Sequence, residues 1–283
     1  MQTIEVPVGL AFFIGFTEID TRIIIRINNY SFYNIMIKFS YAEYKSIINY
    51  YLNELKITKL HKIKQKNKSF FFIRHDVEFS ILRALQLAKF EKEHLQIKTN
   101  YFFHIKNNCY NLISHQNIGF VNQIQELGHS IGLHFNYSGI DKKENIKKEL
   151  FNQFAILKKY FKNISIYFTP HRPSTIKSLQ DCNIKGVVNL YSKKYFTEFN
   201  KIDDDYNKPV YLADSRGMWK YIHPMKLDLK KHKKVQLNFH PDIWSVKGFD
   251  TLKNYNELIK DNEVLFKKSL LSETDNLNKF IKI

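Results

Sequence analysis

The sequence predicts an α/β fold of parallel strands alternating with helices, and three observations predict it. Phe70-Phe71-Phe72-Ile73 places four bulky apolar residues in a row, the pattern of a strand covered on both faces. A helical stretch opened by Ser80 separates this run from a second one, Lys98 to His104. Strand, helix and strand at that spacing form a βαβ unit with parallel neighbours. Finally, apolar strands repeatedly end in ionisable residues, as in sheets and barrels whose sites form at the carboxyl ends of the strands. With 283 residues, 44% of them hydrophobic, the chain can fill one domain of the α/β barrel size class.

The elements follow in order. Residues 1–35 show no turn logic and no clean period, so they read either as an N-terminal extension, with Met36 a candidate natural start, or as an ordinary N-terminal strand or hairpin; residues 36–283 read as one catalytic domain. Val6 to Phe16 is apolar but short, follows Glu5 and lacks a basic leader, so it suits neither a signal peptide nor a membrane span, and a cytoplasmic protein is expected. Ser40-Tyr41-Ala42-Glu43 is a capping box, and Tyr44, Ile47, Ile48, Tyr51, Leu52 and Leu55 follow at helical spacing. A helix over Ile118–Leu127 closes at Gly128, and another runs from Asp141 to Phe161 with Ile146, Leu150, Phe154 and Leu157 on one side. Short strands are expected at His129–His134, Ile164–Phe168, Gly186–Leu190 and Val210–Ala213, and at Val235–Phe239.

The strand endings carry Asp76 and Glu78, His134, His171 with Arg172, Asp214, and His240. Asp76 and Glu78 are two apart, so in extended backbone they share a face with Cα atoms roughly 6.5–7 Å apart. One carboxylate can then bind a cation while the other serves as a base. Imidazole and carboxylate together suit a metal-assisted or general acid/base site, and both ligate zinc-like cations. His75 and His129 read as structural, hydrogen-bonded residues. Cys109 and Cys182 form no CxxC pair, which excludes a zinc knuckle. The net charge of +17 is spread through Lys/Asn/Ile-rich text without the fingerprint of an RNA- or DNA-binding module, so nucleic acid is not the expected partner. It suits peripheral contact with an anionic membrane or the approach of an anionic substrate.

Taken together, Arg74-His75-Asp76-Val77-Glu78, Gly128-His129-Ser130-Ile131-Gly132-Leu133-His134, His171-Arg172-Pro173, Asp214-Ser215-Arg216-Gly217-Met218-Trp219 and Leu237-Asn238-Phe239-His240-Pro241 occur in an order that resembles the NodB-homology polysaccharide deacetylases, carbohydrate esterase family four. They look most like the branch whose first motif reads R-H-D-V-[DE], and the resemblance covers about Met36 to Trp244. It implies an irregular (β/α) barrel and metal-dependent removal of acetyl from an N-acetylated sugar, as in bacterial surface polysaccharide biosynthesis. It further implies Asp76 as the catalytic base, Arg172 as its partner, His240 as the acid and Asp214 as the group that tunes it. Glu78 and His134 correspond to metal ligands, with zinc the expected divalent cation. The chain departs from the family where a second metal histidine is usual, at Ser138. His171 is the preferred replacement, since imidazole is the better ligand, with Asn136 and a missing ligand as alternatives. Trp219 and Trp244 are candidate sugar platforms, competing with a role in the core. The expected substrate is a nucleotide-linked or lipid-linked N-acetyl sugar. A metal-free amidohydrolase and a silent carbohydrate-binding protein are the rival readings.

Overall fold

The computed structural model describes residues 39–63, 69–140, 143–172, 184–198, 201 and 208–274. The candidate start at Met36, the extension before it, Pro173 and Cys182 lie outside the described residues. Seven strands, β1 (Phe70–Val77), β2 (Asn100–Phe103), β3 (Ser130–Phe135), β4 (Tyr167–Pro170), β5 (Val188–Asn189), β6 (Val210–Ala213) and β7 (Lys234–Phe239), form one sheet in the order β5-β4-β3-β2-β1-β7-β6. Every pairing is parallel. The end strands β5 and β6 are joined through the chain that follows β5. Tyr211 N–H donates to Thr197 O at 2.9 Å, and the Gln236 side-chain amide donates to Leu190 O at 3.2 Å and Tyr195 O at 2.7 Å. The result is the irregular, curled (β/α) barrel that the sequence resemblance implies, with a seam between β5 and β6.

Alternation along β1 sorts its side chains into two compartments. Phe71, Ile73 and Val77 join the clusters under the helices, whereas Phe70 and Phe72 meet Phe102, Tyr167, Leu190 and Tyr195 inside the barrel. Arg74 and Asp76 continue the interior row, so the aromatic plug lies at the bottom and the charged groups above it. Gly132 makes room for that plug: a Cβ there would sit 2.6 Å from the Phe102 ring and 2.9 Å from Tyr167 O. Gly132→Ala is therefore expected to cost about 1–3 kcal/mol by overpacking, read as a fall in the urea midpoint.

Among the described residues five α-helices carry the outer layer: α1 (Tyr41–Glu54), α2 (Ile81–Phe90), α3 (His115–Glu126), α4 (Lys143–Tyr160) and α5 (Thr251–Glu273). Ser40 caps α1 by accepting Glu43 N–H at 3.1 Å. The Glu43 carboxylate takes a hydrogen bond with His223 at 3.2 Å. Tyr44, Ile47, Ile48 and Tyr51 are buried as their spacing predicts, but Leu52 faces outward. Gly128 closes α3 at φ 94°, and Ser114 caps it four residues before the predicted start. Helix α5 was not anticipated from its text. It buries only Asn254 and Leu258, so its hydrophobic period is weak, and its clearest start signal is Asp250, which caps Lys253 N–H at 2.9 Å.

The outward residues of β1 explain two of the histidines. His75 Nε2 meets the fully buried Glu91 carboxylate at 3.0 Å, and Tyr44, Thr99 and Tyr101 hydroxyls donate to the same group. His129 accepts Thr99 N–H at Nδ1 and shares its Nε2 proton with Ala88 O. Burial opposes the Glu91 charge, but His75 and the other donors hold its carboxyl down at about 2. Both histidines thus fix helix α2 against the sheet, the structural role expected of them.

Candidate active site

At the carboxyl ends of the strands lies a cleft of about 500 Å³. Asp76 and Glu78 from the end of β1, His134 from β3, His171 and Arg172 after β4, and His240 after β7 all line it. The cleft is where the interior rows of neighbouring strands surface, so side chains far apart in sequence meet there.

Asp76 is 2% exposed and its oxygens are engaged on three sides. Arg74 Nη2 donates to Oδ2 at 3.0 Å, Asn238 Nδ2 to Oδ2 at 3.1 Å, and Thr169 Oγ1 to Oδ1 at 3.1 Å. Burial pushes its pKa up, but Arg74 and the neighbouring imidazoles outweigh it and hold the carboxyl below its ordinary value. The guanidinium paired with Asp76 is that of Arg74. Arg74 stands two residues earlier on the same face of β1, fully buried, and its charge lies over the Tyr191 and Tyr211 rings at 4.6 and 5.2 Å. Arg172 lines the same cleft; its backbone turns to φ 50°, with its carbonyl accepting Tyr137 Oη–H at 2.6 Å.

His240 occupies the β7 side. Asp214, fully buried, accepts its main-chain N–H at 3.0 Å and its Nδ1 at 2.6 Å, leaving Nε2 for the cleft. Burial disfavours the imidazolium, yet Asp214, with Glu78 and Asp76 beyond it, pushes the His240 pKa up to about 10. Trp244 donates its indole N–H to the other Asp214 oxygen at 2.6 Å and is 1% exposed. Trp244 is therefore a clamp on Asp214, not a sugar platform. Trp219 packs edge-on against Phe239 at 5.7 Å, and it too is not among the cleft residues. The aromatic faces that do line the cleft belong to Phe79, Tyr191, Tyr211 and Tyr255.

Around Glu78 the imidazoles converge. His134 Nε2 and His171 Nε2 each lie 3.6 Å from Glu78 Oε1. One ligand atom each from Glu78, His104 and His171 fall within 4.8 Å of one another. The His104 and His134 ring centroids are 4.2 Å apart. His134 Nδ1 contacts Thr169 O at 2.9 Å, and a carbonyl can only accept, so Nδ1 carries a proton and Nε2 is left facing Glu78. That Nε2 and His104 Nδ1 are buried without a hydrogen-bond partner among the described residues. Burial, with His134 and Arg172 nearby, lowers His171 to about 4, and burial with the other imidazoles lowers His104 well below its usual value. Glu78 is held below the ordinary carboxylate range against its burial, chiefly by the neighbouring His134 imidazole and the charge of His240. Neutral imidazoles with free, buried nitrogens around an ionised carboxylate fit a divalent cation.

His104 is the residue that sequence reading missed. Its signal was present, since it ends β2 as His134 lies near the end of β3, but it belonged to no recognised motif. Ser138, the departure from the family pattern, is exposed and donates its hydroxyl to Asn136 Oδ1 at 2.7 Å. Asn136 is thereby committed locally, with its amide donated to Lys106 O at 3.0 Å, which removes it as the replacement ligand. Asp242, also missed, accepts the N–H groups of Glu78, Phe79 and Ser80 at 3.2, 3.1 and 2.6 Å. It ties the loop after His240 to the loop carrying Glu78, and burial together with the Glu78 charge pushes its carboxyl up to about 7.

No family model and no curated protein matches this chain. Among solved structures it is similar to the chitin deacetylase of the fungal pathogen Colletotrichum lindemuthianum, at 12% identity and a TM-score of 0.38, over 68% of this chain and 81% of that one. A peptidoglycan deacetylase of Bdellovibrio bacteriovorus aligns at 11% identity and a TM-score of 0.43, over 74% of this chain and 58% of that one. A family 4 carbohydrate esterase from Bacillus anthracis aligns at 17% identity and a TM-score of 0.34, over 80% and 86% of the two chains.

Proposed function

We propose that this protein is a hydrolase that removes the acetyl group from an N-acetylated sugar, with Asp76 as base and His240 as acid. The observation that carries the reading is the placement of these two groups in one cleft, Asp76 against the Arg74 guanidinium and His240 against the Asp214 carboxylate. Arg74 keeps Asp76 ionised, and Asp214 keeps His240 protonated. Asp76 takes a proton from the attacking water, whose oxygen bonds to the acetyl carbon. Arg74, Asn238 and Thr169 hold the carboxylate while it does so. His240 Nε2 then protonates the departing nitrogen as the carbon–nitrogen bond breaks, leaving acetate and the sugar amine. The imidazolium also places positive charge beside the developing negative charge. Glu78, His104, His134 and His171 are the residues that would hold a divalent cation, zinc by the chemistry of the donor set. When bound, it supplies Lewis-acid polarisation of the acetyl carbonyl. Phe79 and Tyr255 offer the apolar faces on which a sugar ring can lie.

The substrate we favour is a cytoplasmic nucleotide-linked or lipid-linked N-acetyl sugar destined for a bacterial surface polysaccharide; the chain's net charge of +17 favours such an anionic carrier and peripheral contact with anionic lipid. Acetate release from a panel of free and carrier-linked N-acetyl sugars tests the activity. No release from any member by metal-loaded protein would overturn it.

The metal assignment has its own measurement. Protein purified without chelator is expected to carry a divalent cation, and His104→Ala to weaken its binding about 10–100-fold in competition with a chelating dye. Chelator-insensitive turnover by metal-free protein would instead identify a metal-free amidohydrolase.

A further inference from the structure

Two arginines stand on the cleft in backbone conformations that side chains seldom adopt. Arg172 has φ 50° and Arg216 φ 60°, and both line the cleft with exposed side chains. Non-glycine residues at positive φ carry strain, and they concentrate at ligand-binding positions. Arg216 is held there by the fold. Gly217 N–H donates back to Asp214 O at 3.0 Å, and Gly217 O accepts the Thr251 hydroxyl at 2.8 Å, pinning the turn to α5. No acidic side chain pairs with Arg216 among the described residues, while each acid of the cleft is committed elsewhere. Asp76 holds Arg74, Glu78 faces the imidazoles, and Asp242 takes three main-chain N–H groups.

Topology places the pair. Arg172 follows β4 and Arg216 follows β6, and both line the one cleft. Arg216 lies beside β7, whose His240 faces the departing amine. An anion held by Arg216 therefore belongs to the sugar and not to the acyl group.

We propose that Arg216, assisted by Arg172, forms a subsite for an anionic group on the sugar, a phosphate ester or a carboxylate. The proposal rests on the sugar reading above and adds that a neutral N-acetyl sugar is the poorer ligand. Guanidinium groups suit both anions because their paired N–H donors match two oxygens.

The test is equilibrium binding to the full-length chain, measured by calorimetry with N-acetylglucosamine, its 1-phosphate, its 6-phosphate, N-acetylmuramic acid and inorganic phosphate. The parent is expected to prefer at least one anionic sugar over N-acetylglucosamine by tenfold or more. Which one is preferred distinguishes phosphate from carboxylate. Arg216→Gly suits the positive φ and removes the charge, and Arg216→Gln removes the charge alone; in both, the preference is expected to collapse towards one. Equal binding of neutral and anionic sugars by the parent would overturn the subsite, as would an unchanged preference in either folded variant. Inorganic phosphate binding as tightly as the sugar phosphates would also overturn it. Because binding is read without turnover, a preference that persists in protein releasing no acetate would support the subsite while refuting the deacetylase reading.

Discussion

Asp76→Asn is expected to lower kcat/KM for acetate release by about 10²–10⁴-fold, the usual contribution of a positioned base. An amide of the same shape cannot accept the water's proton, so the loss should appear in kcat. Stability should fall as well. Arg74 is fully buried and Asp76 is its carboxylate partner at 3.0 Å. Removing one charge of a buried pair leaves the other uncompensated, at a cost of about 3–5 kcal/mol. The two effects separate in experiment: turnover is measured well below the variant's thermal midpoint, with the folded fraction checked by near-UV circular dichroism. Near-parental turnover by folded Asp76→Asn would remove Asp76 from the base role.

His240→Ala is expected to cost about 10²–10⁴-fold on an amide substrate and much less on an aryl acetate, whose leaving group departs without a proton. A structural role for His240 would slow both substrates alike, so their ratio is the informative quantity. The pH profile provides a second check. With its pKa pushed up to about 10 by Asp214, His240 stays protonated through neutral pH and activity should fall only as pH rises through about 10. Asp214→Asn withdraws the negative charge that favours the imidazolium. The alkaline limb should then move down towards about 6.5, the unperturbed imidazole value. The same group links pH to stability. Its folded pKa lies above the unfolded one, so its stabilisation is full below about pH 6.5 and fades as pH rises through about 10. An alkaline limb that stays in place in Asp214→Asn would show that another group is the acid.

Much of this site was legible one strand at a time. An apolar run ending in Asp76 and Glu78 announces a strand that delivers acids to one end of a sheet, and alternation along β1 puts both on the interior face. His134, His171 and His240 follow the same logic, and the structure brings all of them to one cleft. Partners are harder to read. The motif points to Arg172 for Asp76, whereas the structure shows Arg74 bonded to it. Both arginines lie at strand ends, but Arg74 alone is both buried and on the interior face of β1 next to Asp76. The tryptophans stayed open for a different reason. An indole near a site can face the ligand or brace the residues behind it, and sequence does not distinguish the two; burial and the bond to Asp214 settle it for Trp244.

The sequence by itself determined the strands, their parallel order through βαβ connections, and the face on which each ionisable residue emerges, because period-two alternation is a local property of extended chain. Only the tertiary structure decided which of those residues meet. Sheet curl and register bring His104 beside His134 and Glu78, and they place Asp242 under the Glu78 loop and Trp244 behind Asp214. Such contacts join residues tens to more than a hundred positions apart, and they depend on how neighbouring strands are offset and how far the sheet closes, which no single segment encodes.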